Sequence, residues 1–152
     1  MKTISLVGGH EVLVDDEDFV LLSQRRWFIS KNRRGHAYAT TTIDGKWVGM
    51  HRFIMRPEKG LIVDHINGNG LDNRRCNLRV CTHGQNKQNS KSNRDLPKGV
   101  HKRVQRTGGI VYRAQLRHDG RLLNLGTFQT PDEASAAYFA KAKQIFGQFA
   151  RA

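Results

Sequence analysis

The sequence predicts an α+β protein: an N-terminal β-rich unit, then a small three-stranded sheet with one helix. Three observations carry that prediction. Ile4 and Leu6, then Val12 and Val14, alternate with a two-residue period on either side of Gly8-Gly9, the pattern of a half-buried hairpin. Val100 to Val104, Val111 to Arg117 and Arg121 to Leu125 read as three short strands, the last two joined at Asp119-Gly120, a tight-turn pair. Thr130-Pro131-Asp132-Glu133 then supplies an N-cap, a proline at the first helical position and a capping-box glutamate.

Between these landmarks each element has a local reason. Asp15-Asp16-Glu17-Asp18 places acids at the start of a short helix, where the helix dipole favours them, with Phe19 and Leu22 on one face. Trp27-Phe28-Ile29 and Ala37 to Thr42 are rich in aromatic, β-branched and small residues and read as strands. Asp44-Gly45 turns the chain into Lys46-Trp47-Val48. His51 to Met55 predicts a short helix stopped by Pro57. Leu61-Ile62-Val63 is a compact apolar strand ending at Asp64-His65, and Asn77 to Val80 is its antiparallel partner. Thr82 to Gln85 has capping-box spacing, so a helix should begin near His83 and carry Asn86 on its first turn. The polar stretch that follows shows no apolar periodicity, and residues 91–97 read as a basic linker. The final helix should run to Phe146 and stop at Gly147, with Ala134, Ala137, Tyr138, Ala142 and Ile145 on its buried side.

A net charge of +13 and a sequence pI near 10.5 call for a polyanionic partner. The charge is uneven. Residues 1–50 carry 7 Lys/Arg against 6 Asp/Glu, residues 51–96 carry 9 against 4, and residues 97–152 carry 10 against 3. The second and third parts should therefore meet the partner, and counterion release makes nucleic acid the leading choice. No apolar run is long enough to span a bilayer and no signal peptide opens the chain, so the expected setting is cytoplasmic, without a membrane partner. Cys76 and Cys81 do not make a disulfide framework and read as buried, reduced thiols. Together with His83, and with His51 as a further candidate, they invite a zinc reading, but the paired short spacings of structural zinc are missing. His10, His36 and His118 receive no role.

The most informative stretch runs from Val63-Asp64-His65 through Asn67-Gly68-Asn69-Gly70, Asp72-Asn73-Arg74-Arg75 and Asn77-Leu78-Arg79 to Gln85-Asn86. It sets a carboxylate beside an imidazole, then an Asn/Gly loop, then a second strand and a carboxamide on a helix. Phosphodiester hydrolysis needs a base near neutrality and stabilisation of charge on the phosphate and leaving oxygen. His65 can be the base. Asp64 and Asn86 can hold one hard divalent cation through oxygen. In this order and spacing the stretch resembles the HNH endonucleases, most closely the homing-type members associated with phages and introns. The resemblance implies a ββα-metal core at about residues 60–90 within a nuclease unit spanning 1–90. It implies His65 and Asn77 as catalytic-site residues, Asp64 and Asn86 as ligands of one Mg²⁺ or Mn²⁺, and Asn77 as the residue that ties down the loop. Arg74, Arg75 and Arg79 become candidate phosphate contacts. A phage-encoded enzyme would act in the host-cell cytoplasm.

Lys98-Gly99-Val100, Tyr112-Arg113-Ala114, Leu125-Gly126-Thr127-Phe128 and Glu133-Ala134 to Tyr138 resemble the Apetala-type DNA-binding domain, over residues 98–152. That resemblance implies a three-stranded sheet entering the DNA major groove. Strand alternation agrees: Arg113, Gln115 and Arg117 share one face, Tyr112, Ala114 and Leu116 the other. Lys98, His101, Arg103 and Asn124 are further DNA-contact candidates. Asn124 and Leu122 stand where tryptophan and arginine are usual, so the plant target sequence does not transfer. The resulting expectation is a metal-dependent DNA endonuclease with site preference, acting on double-stranded DNA, without a small-molecule substrate and monomeric. The alternatives are a non-catalytic, sequence-specific DNA-binding regulator on a nuclease-like scaffold and, less favoured by a major-groove sheet, an RNA-directed protein.

Overall fold

The computed structural model describes residues 1–33, 35–90 and 95–151. It mixes strands and helices as an α+β protein. The chain divides into two compact units, Met1–His83 and Gly84–Ala152. The division falls inside the helix that begins at His83, upstream of the linker read at 91–97; residues 91–94 lie outside the described residues.

In the first unit β1 (Lys2–Ser5) and β2 (Glu11–Val14) form an antiparallel hairpin. Helix α1 (Asp16–Ser23) follows. Strands β3 (Phe28–Lys31), β4 (Ala37–Ile43) and β5 (Lys46–Gly49) make a three-stranded sheet in that order. Helix α2 (Met50–Met55) ends on Arg56 in the left-handed region, and Pro57 stops its continuation. Strands β6 (Ile62–His65) and β7 (Leu78–Cys81) pair antiparallel, and α3 (His83–Asn89) starts where capping-box spacing places it.

One core holds the first unit. Ile4, Leu6, Val12 and Val14 from the hairpin pack with Leu22, Trp27, Ala39, Met50, Ile54, Val63 and Leu78. Trp27 precedes β3 rather than opening it. It is fully buried, its indole N–H donates to the Leu22 carbonyl at 2.9 Å, and its ring meets Phe53 edge-on at 5.9 Å. That burial explains why an aromatic with strand propensity sits outside the ladder: packing overrides propensity.

The second unit contains β8 (Val100–Val104), β9 (Ile110–His118), β10 (Arg121–Phe128) and α4 (Pro131–Phe146), with sheet order β10-β9-β8. Strand β10 runs past Leu125 because a register shift between Asn124 and Gly126 lets the chain continue through Gly126. The α4 capping box is complete, with Thr130 accepting from the Glu133 N–H and Glu133 accepting from the Thr130 N–H. Ala134, Tyr138 and Ala142 are buried against the sheet. Gly99 has φ +74, and a methyl there would overlap the Tyr138 ring and the Gln115 carbonyl, so only glycine lets β8 start so close to α4.

Candidate active site

The β6–β7 pair presents Asp64 and His65 as neighbours on a strand, and their side chains leave on opposite faces. Asp64 lies directly across from Arg79, and His65 across from Leu78. The carboxylate and the guanidinium are both buried; Arg79 Nε and Nη2 donate to the same oxygen, Asp64 Oδ2, at 3.0 and 2.7 Å.

His65 turns toward α2 and β4. Its ring lies 5.1 Å from His51, edge-on, and 6.0 Å from Tyr38. Its Nε2 is 3.5 Å from Asn73 Oδ1, while Asn73 Nδ2 donates to the Gly70 carbonyl at 3.2 Å. An amide oxygen only accepts, so this orientation puts the proton of the neutral imidazole on Nε2 and its lone pair on Nδ1. Burial holds the imidazole below its ordinary value, opposed in part by the Asn73 bond and by the charges of Asp64 and Asp72. The ring is therefore neutral at pH 7, the state a general base requires.

The loop between the strands is held by its asparagines. Asn77 Oδ1 accepts from the Asn67 N–H at 3.0 Å, and Asn77 Nδ2 donates to Asn67 Oδ1 at 3.0 Å and to the Asp72 carbonyl at 2.8 Å. Asn67 Nδ2 donates to Asp72 Oδ2 at 2.9 Å. The loop is also sewn to the hairpin: Leu13 N–H donates to the Leu71 carbonyl and Asn73 N–H to the Leu13 carbonyl. Gly70 passes so close to β4 that a methyl would overlap the Ala37 carbonyl oxygen and the Tyr38 ring.

The three arginines of this region all end on carboxylates. Arg74 clasps Asp72 with Nε and Nη2, each at 2.7 Å, which holds the Asp72 carboxyl below the usual range. Arg75 grips both oxygens of Asp18 at 2.8 and 2.9 Å, reaches Glu17 at 2.8 Å, and donates its backbone N–H to Asp15 at 2.7 Å. Arg79 holds Asp64. These bonds brace the site, a role that charge and position in the sequence did not reveal. The acidic run at α1 likewise does more than answer a dipole, since Asp15 makes no cap bond to α1 and serves Arg75 instead.

Of the residues of this site, sequence reasoning left Asn73 without a role and offered His51 only as a further candidate in a zinc reading. The Asp-Asn-Arg triplet was the available signal for Asn73. For His51 there was only its place at the head of α2. Its Nδ1 is buried with no hydrogen-bond partner among the described residues, and Gly49 leaves room for the ring. Burial, with help from His65 and Arg52, pushes the His51 imidazole down to about 4. An unfolded histidine titrates near 6.5, so between pH 6.5 and 4 the unfolded chain binds a proton that the folded chain refuses. Stability should thus fall as pH is lowered through that window, by about 3 kcal/mol for a shift of this size. His51→Phe should remove this part of the acid loss while keeping ring contacts. Thermal midpoints measured from pH 7 to 4 check it; an unchanged acid slope in the variant would refute the assignment.

Cys81 is buried, but Cys76 is exposed, which corrects the expectation of two buried thiols. It lies in the tight 3-10 turn of residues 75–77, where Asn77 is the buried residue. Among the described residues no three His, Cys, Asp or Glu side chains group as ligands for a metal ion. Asp64 and Asn86 offer oxygen donors, the chemistry that suits a hard cation such as Mg²⁺ or Mn²⁺. Asn86 lies on α3, within the second unit.

In the second unit the open sheet face gathers most of the other candidates. Arg113 faces His101 on one side and Thr127 on the other; Gln115 pairs with Asn124, Arg117 with Leu122, and Arg103 with Val111. Cross-strand partners share a face, so His101, Arg103, Arg113, Gln115, Arg117 and Asn124 stand together. Arg113 Nε is buried without a partner among the described residues. Lys98 stands apart, before β8. Its ammonium donates to the carbonyls of Gln88 at 2.6 Å, Ser90 at 3.2 Å and Lys87 at 3.4 Å, at the end of α3. Burial holds it below the usual lysine value.

The strand pair carries Asp-His at the end of one strand and an asparagine-locked loop between the two strands. Residues 50–88, from α2 into α3, match the family described as HNH endonuclease. The chain therefore contains an HNH endonuclease domain and is an enzyme of the nuclease class. It is 29% identical over 148 residues to an uncharacterized HNH endonuclease of Acanthamoeba polyphaga mimivirus, covering 93% of this chain and 74% of that protein. No solved structure matches it significantly. No helix among the described residues is long and apolar enough to cross a membrane.

Proposed function

We propose that the protein is a metal-dependent, homing-type DNA endonuclease that hydrolyses phosphodiester bonds in double-stranded DNA with site preference. The observation that carries this reading is the neutral, oriented His65 ring beside the Asp64 carboxylate on one strand. His65 Nδ1 takes the proton of the attacking water. Asn73 and His51 hold the ring, and Asn77 holds the loop that places Asn73. Asp64 holds the divalent cation, and Asn86 keeps its assignment as second oxygen ligand from the order and spacing of the motif. When bound, the cation acts as a Lewis acid on the phosphate and leaving oxygen. A phage or other viral gene, acting in the host-cell cytoplasm, fits the likeness to a viral protein. Plasmid cleavage with Mg²⁺ or Mn²⁺, against an EDTA control, tests the activity. Cleavage that persists in EDTA, or none with either metal, would sink it.

The second unit serves as the docking module, an Apetala-type sheet whose open face enters the major groove. Arg suits guanine and Gln suits adenine there, and a good bidentate contact is worth about 1–3 kcal/mol of discrimination. We expect Gln115→Ala or Arg117→Ala to relax preference at one or two base positions. Lys98→Ala should lower stability, because three carbonyls lose their donor, and leave base preference unchanged. Binding to a randomised duplex library, with melting curves alongside, separates these outcomes; identical base preferences in all four proteins would reduce the sheet to a non-specific clamp.

A further inference from the structure

We propose that Arg79 competes with the metal ion for Asp64, so that the cation loads together with DNA rather than before it. The inference rests on the reading of Asp64 as metal ligand. Arg79 and Asp64 are cross-strand partners, and their side chains are each 8% exposed. Two of the guanidinium nitrogens, Nε and Nη2, converge on one carboxylate oxygen, at 3.0 and 2.7 Å. The carboxylate is thus already neutralised by a cation that the β6–β7 ladder holds in place. A divalent ion arriving there has to displace the guanidinium or sit beside its positive charge in a site with little water to screen the repulsion.

Among the described residues the surroundings of β6–β7 offer little compensation. Asp72, the acid of the adjoining loop, is committed to Arg74 through both oxygens and to Asn67. Among the described residues no group of three acidic, histidine or cysteine side chains is assembled to outweigh Arg79. Mg²⁺ is commonly held by one or two carboxylates together with substrate phosphates. A DNA phosphate at β6–β7 would bring the missing negative charge. It would also offer the guanidinium a second acceptor, since its planar fork fits phosphate as well as carboxylate. DNA would then relieve the competition. By linkage, DNA must tighten metal binding by the same factor by which metal tightens DNA binding.

The test is Mn²⁺ binding to the full chain, followed by electron paramagnetic resonance. Free Arg79→Met should bind Mn²⁺ at least about tenfold tighter than free wild type, within the usual range of such couplings. Arg79→Lys, which keeps the charge, should stay close to wild type. Adding duplex DNA to wild type should tighten Mn²⁺ by a similar factor, after subtraction of the signal from DNA with Asp64→Asn protein. The same DNA should change Arg79→Met much less. Should Arg79→Met fail to fold, the wild-type protein still decides. The Arg79 Nε–H proton resonance, assigned by its loss in Arg79→Lys, should hold its position when Mg²⁺ is added alone and move when DNA and Mg²⁺ are added together. Equal Mn²⁺ affinity in wild type and Arg79→Met, no gain on adding DNA, or a resonance that moves with Mg²⁺ alone would overturn the competition. Mn²⁺ binding that survives Asp64→Asn would instead overturn the reading of Asp64 as ligand.

Discussion

His65→Ala is expected to lower the cleavage rate about 10²- to 10⁴-fold, the usual contribution of a positioned general base, while DNA binding stays near wild type. The ring is buried and contacted by Asn73 at Nε2. In the proposed mechanism Asn73 orients the ring through Nε2 and Nδ1 takes the proton. Removing the ring leaves Asp64 and its Arg79 partner in place, because these lie on the other face of β6. Single-turnover cleavage and duplex binding measured on the same preparation check the split. Wild-type cleavage in His65→Ala would remove His65 from the mechanism. Parallel loss of binding and cleavage would make it an anchor rather than a base.

Asn77→Ala should damage stability and activity together. Its amide satisfies the Asn67 N–H, the Asn67 side-chain oxygen and the Asp72 carbonyl. The bond to the Asp72 carbonyl is buried and the two to Asn67 are part-buried; an unmet buried polar group costs roughly 1–3 kcal/mol, so a total loss of about 3 kcal/mol is expected. For a chain of this size that lowers the thermal midpoint by about 10 °C. Asn77→Asp is the sharper probe. It keeps the acceptor for the Asn67 N–H but loses both donated bonds and sets a second carboxylate near Asp72, so it should not rescue stability. Activity should fall with the loop, because Asn73 reaches His65 from that same loop. A variant with full stability and no activity would show Asn77 acting on the substrate directly.

Much of this fold was legible along the chain because its signals are local. The two-residue alternation of the first hairpin, the capping box of α4, the stop at Pro57 and the alternating faces of β9 each depend on residues within a few positions. The Asp-His strand end, its antiparallel partner and the helix after it followed from the same short-range patterns. The Asn/Gly composition marked the loop as a turn-rich segment, while the part Asn77 plays in holding it came only from the family resemblance.

The partners of the charged and polar side chains were not legible, and in this protein they make up much of the site. Arg75 binds Asp15 and Asp18, acids 60 and 57 positions earlier. His51 meets His65 across an intervening loop and strand, and Asn73 joins the hairpin through Leu13. Lys98 reaches back to the end of α3. Pattern determines which face a residue takes, so the sequence by itself determined the elements, their order and the chemical inventory of Asp64, His65, Asn77 and Asn86. Only the tertiary structure decided that Arg74, Arg75 and Arg79 each end on a carboxylate, that Cys76 is exposed, and that Asn73 and His51 flank His65. The reason is physical: a long side chain pairs with whatever group the packed core brings within about 3 Å, and that proximity is a property of the whole fold rather than of any window along the chain.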